Sequence, residues 1–297
     1  MVEQFFTYLE VEKRYSNNTI ISYKKDLADF ASFVWDTEGT DDLMKVDKKV
    51  VRNFLVRLSE QDYTKRSINR KLSSLRSYYL FLLRLDIIKV SPVETVKSLK
   101  FYPEKQIPIS QDEAQNLDEV LQSEDIPLLE RVIVEVLYQT GMRKAELCGM
   151  LLKQIDLSKQ EFRVIGKGNK ERIIPISENL FPLVTEYLTT RRPISSDVDY
   201  FLIGEKGKKV GPKFVYSVVN KYLSVVTTKV KRSPHILRHS FATHVLNNGA
   251  EISKVKKLMG HSSLASTQVY TNANIDELKK VFNRSHPRAQ SDSDKGE

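Results

Sequence analysis

Apolar residues recur every three to four positions through much of the first hundred residues, a period that helices satisfy and strands do not. Ile20, Tyr23, Leu27, Phe30 and Val34 form one such stripe, starting just after the cap-rich run Ser16-Asn17-Asn18-Thr19. Asp47 is placed to cap a second helix carrying Val50, Val51, Phe54, Leu55 and Leu58. Thr64 is placed to cap a third, with Ile68, Leu72, Leu75, Tyr79 and Leu82 turned inward. That third helix also carries Lys65, Arg66, Arg70, Lys71 and Arg76, read as a basic face able to line a groove of DNA.

Ser91-Pro92 ends this pattern, because proline cannot continue a helix and pushes the residue before it out of helical geometry. The stretch 98–109 holds Pro103 and Pro108 and has no apolar period, so it reads as an extended linker. A helical domain over 1–97 and a second domain over 110–284 follow, a division that suits 297 residues. Ser110 and Glu113 make a capping box at the start of the second domain. Helices are expected through Leu129–Tyr138 and Lys144–Leu152. Phe162–Ile165 and Arg172–Ile176 then flank the tip Gly166-Lys167-Gly168-Asn169-Lys170 as a β-hairpin. Tyr200–Ile203 is a candidate third strand, and helices are expected to about Phe282. Residues 285–297 are polar and read as a disordered tail. The expected fold is mainly α with a small β-sheet.

The net charge of +9 is unevenly spread. Residues 51–100 hold eleven basic side chains against four acidic ones, 201–260 hold twelve against two, and 111–130 hold seven acids and no base. Two basic blocks interleaved with tyrosine and phenylalanine favour a nucleic-acid partner over solvated helix faces. A lone cysteine, Cys148, excludes a disulfide framework and a multi-cysteine zinc module. No apolar run approaches the roughly 20 residues of a membrane span, and the N-terminus lacks a secretion-signal layout, so a cytoplasmic protein is expected. Neither a Walker loop nor a dinucleotide fingerprint is present, which gives ATP and NAD no support.

Some residues could carry chemistry. Ser233-Pro234 marks a helix start that places His235 and Arg238 on one face, beside backbone N–H groups that favour an anion. The plainer account is a capped helix with a buried histidine. His235, His239 and His244 also suggest zinc, but no acid lies between them and no cysteine is near, so no metal is expected. Arg143, just past Gly141, could clamp phosphate oxygens with Glu146 orienting it one turn on. Taken alone, that spacing favours an ordinary surface ion pair. Lys167 sits between two glycines that let a ligand approach closely. Gly260-His261 ends one helix, and the next carries Tyr270, one of 13 tyrosines.

Taken in order, Arg143, Lys167, His235-x-x-Arg238, His261 and Tyr270 resemble the catalytic signature of the tyrosine recombinase (phage integrase) family. The surrounding text matches too: LYQTGMRKAEL, VIGKGNKERIIPI, SPHILRHSFATHVLNNGA, LMGHSSLASTQVYTN and SHPRA, with INRKLSSLRSYYLFLL similar to the core-binding domain of the Xer branch. The resemblance implies a SAM-like helical core-binding domain and an α+β catalytic domain forming a C-shaped clamp on DNA. It implies Tyr270 as nucleophile, Arg143 and Arg238 on the phosphate, Lys167 as general acid, and His235 and His261 as proton-transfer and phosphate partners, without metal or ATP. A last helix at about 274–284, with Ile275, Leu278 and Phe282 on one stripe, would dock into a neighbouring protomer of a tetramer on two duplexes. The implied role is chromosome-dimer resolution at a two-arm, dif-like site, with a paralogous recombinase and a septal DNA translocase as candidate partners. An integrase or transposase of a mobile element, or a non-catalytic DNA-binding protein on this fold, are the alternatives.

Overall fold

The computed structural model describes residues 1–102, 106–166, 171–260 and 284–288. The chain divides at residue 104 into two compact units.

The first unit is helical. Helix α1 (Val2–Thr7) runs into a wider turn at Tyr8–Glu12, followed by α2 (Asn17–Glu38), α3 (Lys48–Glu60) and α4 (Lys65–Arg84). The three long helices begin where capping side chains satisfy their first N–H groups. Ser16 accepts from Thr19 N (3.4 Å), Asp47 from Val50 N (2.9 Å) and Thr64 from Ser67 N (3.2 Å). Their apolar stripes meet in one core, with Phe54 packed against both Phe30 and Phe33 at 5.0 and 5.3 Å between ring centroids. Leu99 packs on this core and exchanges two 2.8 Å hydrogen bonds with the Asn69 side chain.

One residue of the expected basic face is elsewhere. Lys71 lies three residues after Ile68 and four before Leu75, so it shares the inward stripe of α4 and is 1% exposed. Its ammonium pairs with Asp26 at 3.2 Å and with Asp29, both on α2, and Arg70 pairs with Asp26 from the rim. Burying a lysine demands such partners. Lys71 is therefore part of the packing and is withdrawn as a DNA contact.

The second unit opens with the buried Ile109, whose N–H donates to Ser240 Oγ (2.9 Å). Helix α5 (Gln111–Leu121) starts at the Ser110–Glu113 capping box. Then come α6 (Leu128–Thr140), α7 (Lys144–Gly149), β1 (Ile155–Asp156), β2 (Glu161–Ile165), β3 (Glu171–Pro175), α8 (Leu180–Thr190), α9 (Pro212–Val226), α10 (Pro234–Asn247) and α11 (Ile252–Met259). The strands form an antiparallel sheet in chain order, with Phe162 opposite Ile174. Its third strand is Ile155–Asp156 and not Tyr200–Ile203. Tyr200 instead makes an isolated bridge to Leu151, and Phe201 and Leu202 are buried in the core. Among the described residues, no helix is long and apolar enough to cross a membrane.

The expected disordered tail needs a second correction. Ser285 and His286 are buried, and Asn248 donates to Ser285 O at 2.9 Å. Arg288 pairs with Asp118 at 3.2 Å and with Glu135, and lies 5.0 Å from the Tyr138 ring centroid. A polar composition looked like a tail because these partners are distant in sequence. Residues 289–297, and all but residue 284 of the last helix expected at about 274–284, lie outside the described residues.

Candidate active site

Helix α6 ends at Gly141, whose φ of +60° reverses the chain. Any side chain there would collide with the ring of Phe241 on α10, so glycine lets α6 and α10 approach closely. The turn delivers Arg143 to the N-terminus of α7. There the Arg143 N–H donates to Glu146 Oε2 (2.7 Å) and its guanidinium to Glu146 Oε1 (2.9 Å). The i, i+3 pair read from the sequence is thus real. Its acid is nearly buried while half of the arginine faces solvent.

Glu146 does not belong to Arg143 alone. Arg172 on β3 forks onto the same carboxylate, Nη1 to Oε1 at 3.0 Å and Nη2 to Oε2 at 2.7 Å. Burial pushes the Glu146 carboxyl up, but the hydrogen bonds from Arg172 and Arg143 outweigh it and hold it below its ordinary value. Arg172 also donates from Nε to Leu258 O at 2.8 Å, at the end of α11. It is a site residue that motif reading missed, although a signal existed. In strand alternation Arg172 shares the face of buried Ile174 and Ile176, so a charge there had to meet a partner.

Helix α10 begins at Ser233-Pro234, as the sequence predicts, and carries His235 and Arg238 in its first turns. Arg238 is 4% exposed and donates to two carbonyls, Gly141 O and Met259 O (2.6 Å for the latter). Burial, with Arg143 and Arg172 adding repulsion, lowers its pKa to about 10, so it stays cationic at neutral pH. His235 is exposed, not buried, and its pKa is lowered by partial burial and then by Arg238, His239 and Arg143. The buried histidine of this helix is His244, which bonds the Tyr138 hydroxyl (2.9 Å) and Ile109 O (2.8 Å). Among the described residues no group of three His, Cys, Asp or Glu side chains could hold a metal ion.

The structure therefore brings Arg143, Glu146, His235 and Arg238 together with Arg172. Arg143 and Arg172 hold the Glu146 carboxylate, and Arg238 interacts with all three, an excess of guanidinium charge among the described residues that suits an anion such as a phosphodiester; His235 lies beside Arg238 and Arg143. Arg172 and Arg238 both hold carbonyls at the end of α11, immediately before His261. Lys167, His261 and Tyr270 themselves lie outside the described residues. Of the other basic candidates, Lys65 and Arg66 are exposed on α4, and Arg70 is exposed but paired with Asp26. Arg76 is half-buried and donates to Ser98 Oγ (2.9 Å) and Val96 O (2.5 Å).

Comparison with known proteins agrees along the chain. The model described as phage integrase family matches residues 108–277, and the one described as phage integrase, N-terminal SAM-like domain, matches 2–85. "Tyrosine recombinase XerC" of Listeria welshimeri is 36% identical over 293 residues, covering 97% of each chain. The protein of the same name from Halalkalibacterium halodurans is 35% identical, again with 97% of each covered. Among solved structures, the XerH site-specific recombinase bound to a palindromic difH substrate has a TM-score of 0.69 at 18% identity, covering 88% of this chain and 78% of that one. A lambda integrase dimer bound to a core site gives 0.68 at 14% identity, with 90% and 99% covered. At these identities the two structures speak for the fold.

Proposed function

The chain belongs to the phage integrase family, and we propose that it uses Tyr270 to cut and rejoin DNA at a specific site, as a tyrosine recombinase. In this reading the Tyr270 hydroxyl oxygen attacks a backbone phosphorus, and the bond from phosphorus to the 5′-oxygen breaks. A 3′-phosphotyrosyl link and a free 5′-hydroxyl result. A phenolate leaves more readily than a sugar alkoxide, so the link stores the bond until a partner strand's 5′-hydroxyl reverses the step without ATP. Arg143 and Arg238 neutralise the non-bridging oxygens, which is the main work in phosphoryl transfer. Lys167 protonates the departing 5′-oxygen. His235 assists proton transfer, and His261 hydrogen-bonds the phosphate.

The observation that carries this reading is the arginine excess around Glu146: Arg143, Arg172 and Arg238, with Arg238 buried and still cationic. The partner is double-stranded DNA, and Lys65 and Arg66 on α4 are exposed to contact its backbone. The finer proposal is chromosome-dimer resolution at a dif-like site in the cytoplasm. It has four protomers on two duplexes, linked head to tail through the segment at about 274–284. A paralogous recombinase and a septal DNA translocase are its candidate partners.

The test uses nicked suicide duplexes drawn from the host chromosome terminus. Covalent protein–DNA adducts should form and map to Tyr270, and Tyr270→Phe should form none. Adducts with Tyr270→Phe, or none with the parent chain on any duplex it binds, would overturn the proposal. Adducts only at the ends of a mobile element would reassign the role to integration.

A further inference from the structure

Arg172 lies outside the six-residue signature, yet its side chain reaches more of the site than any of the described signature residues. It stands on β3, which begins four residues after Lys167 in the sequence. Its guanidinium forks onto Glu146, which in turn holds both the backbone and the side chain of Arg143. Its third nitrogen holds Leu258 O, and its side chain packs under Gly260, where an added Cβ would sit 3.1 Å from Arg172 Cδ. Gly260 has φ of +63° and is the last described residue before His261 and the segment bearing Tyr270. One buried side chain thus ties together the hairpin strand, the arginine at the start of α7 and the end of α11. A planar fork with five donors can hold three partners in fixed directions, which a lysine cannot.

We infer that Arg172 is a positioning residue for DNA cleavage, setting Arg143 through Glu146 and fixing where the chain enters the nucleophile-bearing segment. It acts through those groups and touches no substrate. The inference rests on the recombinase reading above. Small displacements suffice for such an effect, since misplacing a reacting group by about 1 Å can cost on the order of 10²-fold in rate.

The experiment compares the full chain with Arg172→Lys, Glu146→Gln and the double variant. Three quantities are read: affinity for the duplex recovered by covalent trapping, single-turnover rate of adduct formation on it, and amide hydrogen exchange at 258–260 in the free protein. Arg172→Lys should bind the duplex within about twofold, form adduct on the order of 10²-fold more slowly, and exchange faster at 258–260. The double variant should cleave no more slowly than the worse single, because the two residues act as a unit. An adduct rate within about twofold of the parent overturns the inference, as does a loss that only follows lost affinity or thermal midpoint. If Arg172→Lys does not fold, Glu146→Gln decides by the same affinity and rate criteria. If the parent forms no adduct, the recombinase reading fails by itself. The exchange arm still decides the coupling, and unchanged exchange at 258–260 would refute it.

Discussion

Each unit of the molecule buries a knot of cations and carboxylates, and the two knots balance differently. In the first unit Arg70 and Lys71 meet Asp26 and Asp29, two charges against two, with Asp26 and Lys71 sealed from water. In the second, Arg143 and Arg172 pair with Glu146, and the buried Arg238 interacts with all three while bonding only carbonyls, among the described residues. The first knot is complete and joins α2 to α4. The second has positive charge left over, and a half-exposed arginine through which an anion can enter. A buried cation is therefore not in itself a sign of function. The sign is a buried cation whose carboxylates have run out.

This contrast can be broken from the structural side. Lys71→Ala should leave the buried Asp26 with only Arg70 at the rim and Asp29 without its lysine partner, and cost up to about 3–5 kcal/mol. Urea denaturation would measure that, while the adduct rate of the folded fraction stays close to the parent's. Arg143→Ala should do the reverse. Its stability should change little, because half of the side chain is in water, but adduct formation should fall about 10²–10³-fold, as for the loss of one charge-stabilising donor. If both variants lost stability and rate together, the two knots would not differ in kind.

How much of this was legible in the sequence follows the range of the interactions involved. Caps are local, so Ser16, Asp47, Thr64 and the Ser110–Glu113 box could be read directly, and so could the stripes behind them. The Ser233-Pro234 helix start and the hairpin over 161–175 are local too. Charge groups Lys71 with its basic neighbours, but its position between Ile68 and Leu75 places it inside. Arg172 is the converse case: it lies within the matching stretch VIGKGNKERIIPI but outside the six-residue signature, and only the parity of β3 puts it on the buried face. Residues 285–288 read as tail in the sequence because Glu135 and Asp118, which hold Arg288, lie over a hundred residues away. Tyr200–Ile203 has the residues of a strand but finds its partner at Leu151 and not in the sheet.

Acidity should sharpen the contrast further. Burial lowers the pKa of His244, and that of His286 to about 3, while both would titrate near 6.5 in the unfolded chain. The unfolded state then binds more protons below pH 6.5, so stability is full above that pH and is lost as pH falls through it. His286, with its folded value near 3, contributes up to about 1.4 kcal/mol per pH unit in that window, and His244 adds in the same direction. Thermal midpoints at pH 7.5 and 5.5 would show the decline, and His286→Gln should make it shallower. The loss should appear in the second unit, since the chain's five histidines all lie beyond residue 234. The smallest effect is expected at Lys89, whose 2.8 Å pair with Asp86 is fully in solvent. Lys89→Ala should change stability by less than about 1 kcal/mol, because exposed pairs are screened and entropically costly.

The claim beneath these expectations is that surplus guanidinium charge holds the phosphate being cut. It is tested most directly by removing the charge from the DNA instead of the protein. An uncharged methylphosphonate placed at the mapped cleavage position should let Arg143→Ala regain adduct formation, because the missing guanidinium then has no charge to neutralise. If Arg143→Ala remained as slow on the neutral linkage as on the natural phosphate, while the parent chain cleaved both, the charge excess would not be what drives the reaction.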